Sequence, residues 1–331
     1  MRLPNLAACL GAGLGLLALD ATAAFDAAQV DAFVAETVRE YGLDEDVVRG
    51  VLGQAEQRES ILAAMRRPAE AKPWHAYRKI FLTPERIEGG VAFMREHAEI
   101  LARAEQEYGV PPQIVTAIIG VETFYGRHTG SYRVVDALAT LGFAYPPRAK
   151  FFRSELGHFL QLVQEEPIDP LAAKGSYAGA MGLGQFIPSS YRAYTVDFDA
   201  DGTRDLWGSK ADAIGSVANY FARHRWRAGE PVALPVAASG ALAEQANRGI
   251  ELTTTVGALQ QAGLDVPATL PGDAPANLVA LEQPQGEDYW LGLHNLYVIT
   301  RYNRSVHYAM AVYQLSEAIR ESAAGVDAAS G

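Results

Sequence analysis

In residues 111–126, PPQIVTAIIGVETFYG, Glu122 is the only charged residue. Pro111 and Pro112 suit a helix start, and Ile114, Val115, Ile118 and Ile119 recur at the spacing of one buried helical stripe. Counting four on from Ile118 reaches Glu122, so its carboxylate stands on the core side of the helix. Loss of hydration disfavours the charged form and leaves a protonated acid near neutral pH, the group that glycoside cleavage requires. The structural alternative is a carboxylate paired with a buried arginine or capping a neighbouring helix.

Two further blocks carry chemistry. Ser176–Tyr191, SYAGAMGLGQFIPSSY, has glycines at 179, 182 and 184, where backbone can approach a ligand closely. Gln185, Ser189, Ser190 and the flanking tyrosines offer hydrogen bonds and stacking faces for a sugar; an ordinary turn between helices is the plainer alternative. Asp197, Asp199, Asp201, Gly202 and Asp205 then match positions one, three, five, six and nine of an EF-hand loop, but position twelve is Gly208 instead of the expected glutamate. A solvated acidic turn is the competing account. Asp136, the next acidic residue after Glu122, opens DALATLGF; it is a candidate second catalytic carboxylate but fits better as a helix N-cap.

The elements that must hold these groups are mostly helical. From Phe25 to Glu107, apolar and charged residues alternate in three- and four-residue steps, with breaks expected at Gly42, Pro68–Pro73, Thr83-Pro84 and Gly109. A second helical stretch covers 111–221. Between 230 and 286 the composition shifts to Ala, Pro, Gly, Val and Thr, predicting a small β-containing insertion, after which ITRYNRSVHYAMAVYQLSEAIRE returns to helix and a frayed tail follows from Ser322. The expected organisation is an N-terminal helical region over 24–110, a core over 111–229 and 287–321, the insertion over 230–286, and a flexible tail over 322–331.

At 331 residues the chain can bury a substantial core, and its net charge of −11, without a long basic run, argues against nucleic-acid or anionic-membrane partners. Arg2, the apolar stretch Leu6–Leu19 and the small residues Ala21, Ala23 and Ala24 form a secretory signal pattern over about 1–23, with an apolar run short for a membrane span. The mature protein is therefore expected to be exported, periplasmic and monomeric. Cys9 sits in LAAC, which superficially resembles an acylation site, but the apolar run mostly follows it, so a lipid anchor is the lesser alternative. After an ordinary signal cut no cysteine remains, which excludes disulfides and thiol chemistry.

Taken in order, GVETFYG, GAMGLGQFIPSS, DFDADGTRDLW and DAIGSVANYF resemble the membrane-bound lytic murein transglycosylase B family, from about Lys72 (KPWHAYR) to Gln314 (ITRYNRSVHYAMAVYQL). The resemblance implies a mainly α (α+β), lysozyme-like helical core and cleavage of the β-1,4 bond between N-acetylmuramic acid and N-acetylglucosamine in peptidoglycan, with a 1,6-anhydro product. Glu122 would act as general acid and then as base, needing no partner carboxylate because the substrate's N-acetyl group stabilises the developing charge. By the same matching, Ser176 and Gln185 would touch sugar near the cleavage point, and Tyr77, Tyr220, Tyr302, Asn303 and Tyr308 would line the groove. Arg148 would reach the stem peptide, although the family's arginine pair is here Pro147-Arg148. A structural Ca²⁺, or Na⁺, would be held by Asp197, Asp199, Asp201, the Thr203 carbonyl and Asp212, which supplies the closing carboxylate of a longer loop. No organic cofactor is implied; glycan strands are the expected partner, and other cell-wall enzymes further candidates. A hydrolytic muramidase and a non-catalytic, calcium-stabilised peptidoglycan-binding protein are the alternatives.

Overall fold

Caps written into the sequence start and stop the N-terminal helices. The computed structural model describes residues 25–66, 72–246 and 249–330, with side chains to 325; the signal segment and Cys9 lie outside this range. Asp26 caps α1 (Ala27–Tyr41) by accepting from the Gln29 N–H, and Gly42 ends the helix in the left-handed region (φ 67°). Asp44 caps α2 (Glu45–Leu52), α3 spans Glu59–Met65, and Pro73 opens α4 (Trp74–Phe81). Thr83 caps α5 (Pro84–Glu96), with proline at the first helical position, and Gly109 ends α6 (Ala98–Tyr108). The breaks at Gly42, Thr83-Pro84 and Gly109 thus fall where turn chemistry demands them.

Next come α7 (Pro112–Thr123), β1 (Tyr132–Arg133), α8 (Val134–Ala144), α9 (Ala149–Glu165), β2 (Lys174–Gly175), α10 (Pro188–Tyr194) and α11 (Lys210–Arg223). The chain then forms β3 (Ala233–Val236), α12 (Ala241–Glu244), β4 (Thr254–Thr255), α13 (Val256–Gln261), β5 (Pro275–Glu282) and β6 (Glu287–Gly292), and returns through α14 (His294–Tyr302) and α15 (Val306–Ser330). The architecture is mainly α, the class expected. Helix α7 lies at its centre, packed against α5, α6, α11 and α15, and all its residues from Ile114 to Val121 are buried. That matches its near-continuous apolar sequence.

The insertion is an antiparallel sheet in the order β3-β6-β5-β4. Strand β5 is buried on both faces: Ala276 and Leu278 join a small core with Val256, Leu259 and Leu291, while Val279 and Leu281 join the main core. The sheet therefore fastens the insertion to the helical body. Its end differs from the expected boundary at 286, because Glu287–Gly292 pairs with β5 across a tight turn at Gln283–Gly286 (Gly286 φ 92°) before helix resumes. The expected tail also differs, since α15 continues through 322–330; the Ala-rich end favours helix.

Asp136 is neither an N-cap nor beside Glu122. It lies in the first turn of α8, 2% exposed, where it takes two 2.8 Å hydrogen bonds from Arg133, lies 3.5 Å from Arg58 and accepts the Glu56 N–H. It thereby joins the segment after α2 to α8. Removing it deprives Arg133 of its two shortest hydrogen bonds and orphans the Glu56 N–H, while Glu56 still pairs with Arg58 (2.6 Å) and Arg133 (3.5 Å), so Asp136→Ala should cost about 2 kcal/mol. Urea unfolding with an unchanged m-value checks this.

Candidate active site

Glu122 occupies the last turn of α7, where the helix meets the glycine-rich loop. Its carboxyl is half-buried, and burial pushes its pKa up to about 7, partly opposed by a hydrogen bond from Tyr308. The Tyr308 hydroxyl donates to Glu122 Oε1 at 2.5 Å. Among the described residues no second carboxylate perturbs Glu122. Burial, with the charge of Glu122 secondary, raises the phenol pKa values of Tyr308 and Tyr302, so both remain donors.

The helix stops abruptly after the acid. Phe124 (φ 52°) and Tyr125 (φ 61°) both take left-handed backbone, a conformation that costs a non-glycine residue on the order of 1 kcal/mol or more and persists only if the surroundings impose it. They do: the Tyr125 side chain fills a slot where a Cβ on Gly89 would come within 2.9 Å of its ring and a Cβ on Gly90 or Gly120 within 2.7 or 2.6 Å of its hydroxyl. Its hydroxyl donates to the Arg86 carbonyl (2.6 Å), and Arg86 Nε donates to the Gly120 carbonyl (3.0 Å) while its guanidinium lies over the Phe124 ring. The sequence reading missed Arg86 and Tyr125; the glycines at 89, 90 and 120 were the available signal.

Three side chains set the loop beside Glu122. Thr123 Oγ1 lies 3.0 Å from the Leu183 carbonyl, the Tyr302 hydroxyl donates to the Gly184 carbonyl at 2.5 Å, and Gln185 Nε2 donates to the carbonyls of Thr129 (3.1 Å) and Gly182 (2.9 Å). Gln185 Oε1 is left as an acceptor among the described residues. Ser176 Oγ accepts the Ala178 and Ala180 N–H groups, which frees its own proton for a ligand.

Other expected site residues fall in different places. Tyr77 packs with Trp74, Phe81 and His307 and acts electrostatically on Tyr308. Asn303 is exposed next to Tyr302. Tyr220 is buried, donates to the Arg301 carbonyl and packs edge-on against Tyr302 (4.8 Å), so it backs the groove instead of lining it. Ser189 is spent on the buried Glu155 carboxylate through both Oγ and N–H. Arg148 is exposed over Phe151, with no contact to the Glu122 cluster among the described residues.

In the acidic loop, carboxylate oxygens of Asp197, Asp199 and Asp212 lie within 4.8 Å of one another. Asp212 is fully buried and accepts the Phe198 and Asp205 N–H groups; burial, reinforced by Asp199, raises its pKa. Among the described residues no Lys or Arg neutralises the three, so the donor set fits a hard cation. Asp201 is instead turned onto the Thr203 N–H and hydroxyl.

Residues 25–317 match the transglycosylase SLT domain family. The chain is 46% identical, over 87% of its length and 81% of the relative's, to membrane-bound lytic murein transglycosylase B of Escherichia coli K12. Among solved structures it is similar to soluble lytic transglycosylase SltB1 of Pseudomonas aeruginosa (52% identity, TM-score 0.84, 89% of this chain and 99% of that one). The Escherichia coli lytic transglycosylase Slt35 in complex with calcium is also similar (44% identity, TM-score 0.81, 89% and 94%).

A carboxyl whose folded pKa is raised is penalised once ionised, so the stability it lends relative to a neutral isostere is present below the unfolded value and lost as pH rises through about 7. Glu122→Gln should therefore raise the melting temperature at pH 8 and leave it nearly unchanged at pH 4. Thermal unfolding of both proteins at the two pH values measures this.

Proposed function

The chain belongs to the transglycosylase SLT domain family and is a peptidoglycan-cleaving lytic transglycosylase, and we propose that Glu122 carries both proton transfers of its reaction. Its proton passes to the oxygen leaving C1 of N-acetylmuramic acid, and the C1–O bond to N-acetylglucosamine breaks. The substrate's N-acetyl group shields the developing positive charge. Glu122, now a carboxylate, accepts the proton of the muramic 6-hydroxyl as that oxygen bonds C1, closing the 1,6-anhydro ring. No water is consumed, and the acid is regenerated.

The single observation that carries this assignment is the half-buried carboxyl at the end of α7, which accepts the Tyr308 hydroxyl and has no second carboxylate acting on it among the described residues; burial pushes its pKa up to about 7. A pKa near the operating pH suits one group acting first as acid and then as base. Hydrolysis would need a second carboxylate to activate water or trap C1, and Asp136 is committed to Arg133. Ser176, Gln185, Tyr77, Tyr302, Asn303 and Tyr308 are assigned to the glycan, with Tyr308 also fixing Glu122, and Arg148 to the stem peptide. The chain is assigned to the periplasm as an exported monomer acting on glycan strands; among the described residues no helix is long and apolar enough to cross a membrane. Ca²⁺ is assigned to Asp197, Asp199 and Asp212, with Asp201 and Thr203 as expected further ligands, in a structural role.

Glu122→Gln should abolish release of anhydro-muropeptides from purified sacculi while preserving sacculus binding, since the amide keeps the shape but cannot cycle a proton. Mass spectrometry separates the outcomes: mainly hydrated reducing ends from the wild type would mean a muramidase, and substantial turnover by the mutant would remove Glu122 from the chemistry. Ca²⁺ should raise the wild-type melting temperature by about 5 °C at concentrations well above its Kd, an increase lost in Asp212→Ala. A midpoint indifferent to chelator would reduce the loop to an acidic turn.

A further inference from the structure

A cavity of about 530 Å³ lies apart from Glu122, which does not line it. It lies between the β1–β2 ribbon and the end of the acidic loop, in the size range of ligand sites. Trp207 is its aromatic wall, half-buried and held in place twice: its Nε1–H donates to the Lys174 carbonyl (2.8 Å), and its ring packs against buried Tyr191 (5.8 Å). Such a platform loses little freedom when a flat, partly apolar ring stacks on it.

Part of the polar lining keeps free donors and acceptors. Lys174 has no acidic partner among the described residues, and the Thr129 hydroxyl has none either. Asp169 and Asp205 each use one carboxylate oxygen on backbone N–H groups and form no ion pair. Glu166, by contrast, is spent on Arg204. Donors and acceptors of both kinds around a fixed indole suit the hydroxyls of an uncharged pyranose better than an anion, which the two aspartates would repel. The cavity also adjoins the loop assigned to the glycan: the Thr129 carbonyl accepts from Gln185, and Lys174 is two residues before Ser176.

We propose that this cavity is an additional glycan subsite, in which a sugar ring of the strand, beyond those at Ser176 and Gln185, stacks on Trp207 and hydrogen-bonds to Lys174, Thr129, Asp169 and Asp205. The proposal rests on the glycan-cleaving function, and it predicts that grip on the strand depends on strand length.

The test uses the full chain carrying Glu122→Gln, so that nothing is cleaved, and stem-free glycan oligomers of increasing length titrated by calorimetry. Affinity should rise with length until the cavity is filled; adding Trp207→Ala should lower affinity for the longest oligomers about tenfold and leave the shortest unchanged. Lys174→Ala, at an exposed position, carries the test if Trp207→Ala does not fold, with a loss of several-fold confined to long oligomers. Full retention of the length-dependent gain in the folded variants would overturn the subsite. A loss in Trp207→Ala that appears only with glycan bearing stem peptides, and not with stem-free oligomers, would assign the cavity to peptide and equally overturn the subsite. Failure of the parent protein to bind glycan of any length would instead overturn the function on which the subsite depends.

Discussion

Keeping one carboxyl group protonated at the end of a buried helix is the constraint around which this structure is arranged. A carboxylate solvated in the ordinary way gives up its proton far below neutral pH. Helix α7 prevents this by having almost no surface: its neighbours cover it from Ile114 to Val121, and Glu122 emerges only where the helix ends. Burial acts in the direction that the acid role proposed for Glu122 needs, and the Tyr308 hydrogen bond limits the effect, since it favours the ionised form. The acid is held near neutrality instead of being driven so high that it could not release its proton.

That arrangement has consequences for the chain on either side. A helix ending inside a protein must turn away at once, which explains two successive left-handed residues and the three glycines that admit the Tyr125 ring. The turn is tied to α5 through Arg86 and to the glycine-rich loop through Thr123, so the acid and the loop assigned to the sugar share one rigid support. Helices α14 and α15, late in sequence, supply Tyr302 and Tyr308. The sheet between them and α11 is an excursion fastened to the core by Val279 and Leu281.

Local chemistry was legible in the sequence wherever short-range physics determines structure. The breaks at Gly42, Thr83-Pro84 and Gly109 and the buried stripe leading to Glu122 all depend on near neighbours. What was not legible depends on distant partners. Asp136 has the type and position of an N-cap, but its ligands Arg58 and Glu56 lie about 80 residues earlier. Tyr220 and Tyr302 look alike in sequence, and only packing makes one the support of the other. Ser189 was lost to Glu155, and β6 was read as part of the returning core because its pairing with β5 has no strong local signature.

Glu122 is a half-buried acid poised near neutral pH, and direct titration of that one group tests this. Carbon NMR of the ¹³C-labelled side-chain carboxyl, assigned by its loss in Glu122→Gln, should follow a midpoint close to 7. Removing the hydroxyl in Tyr308→Phe should move that midpoint upward. A midpoint in the ordinary glutamate range, about 4.3, would show a solvated carboxylate and contradict the account.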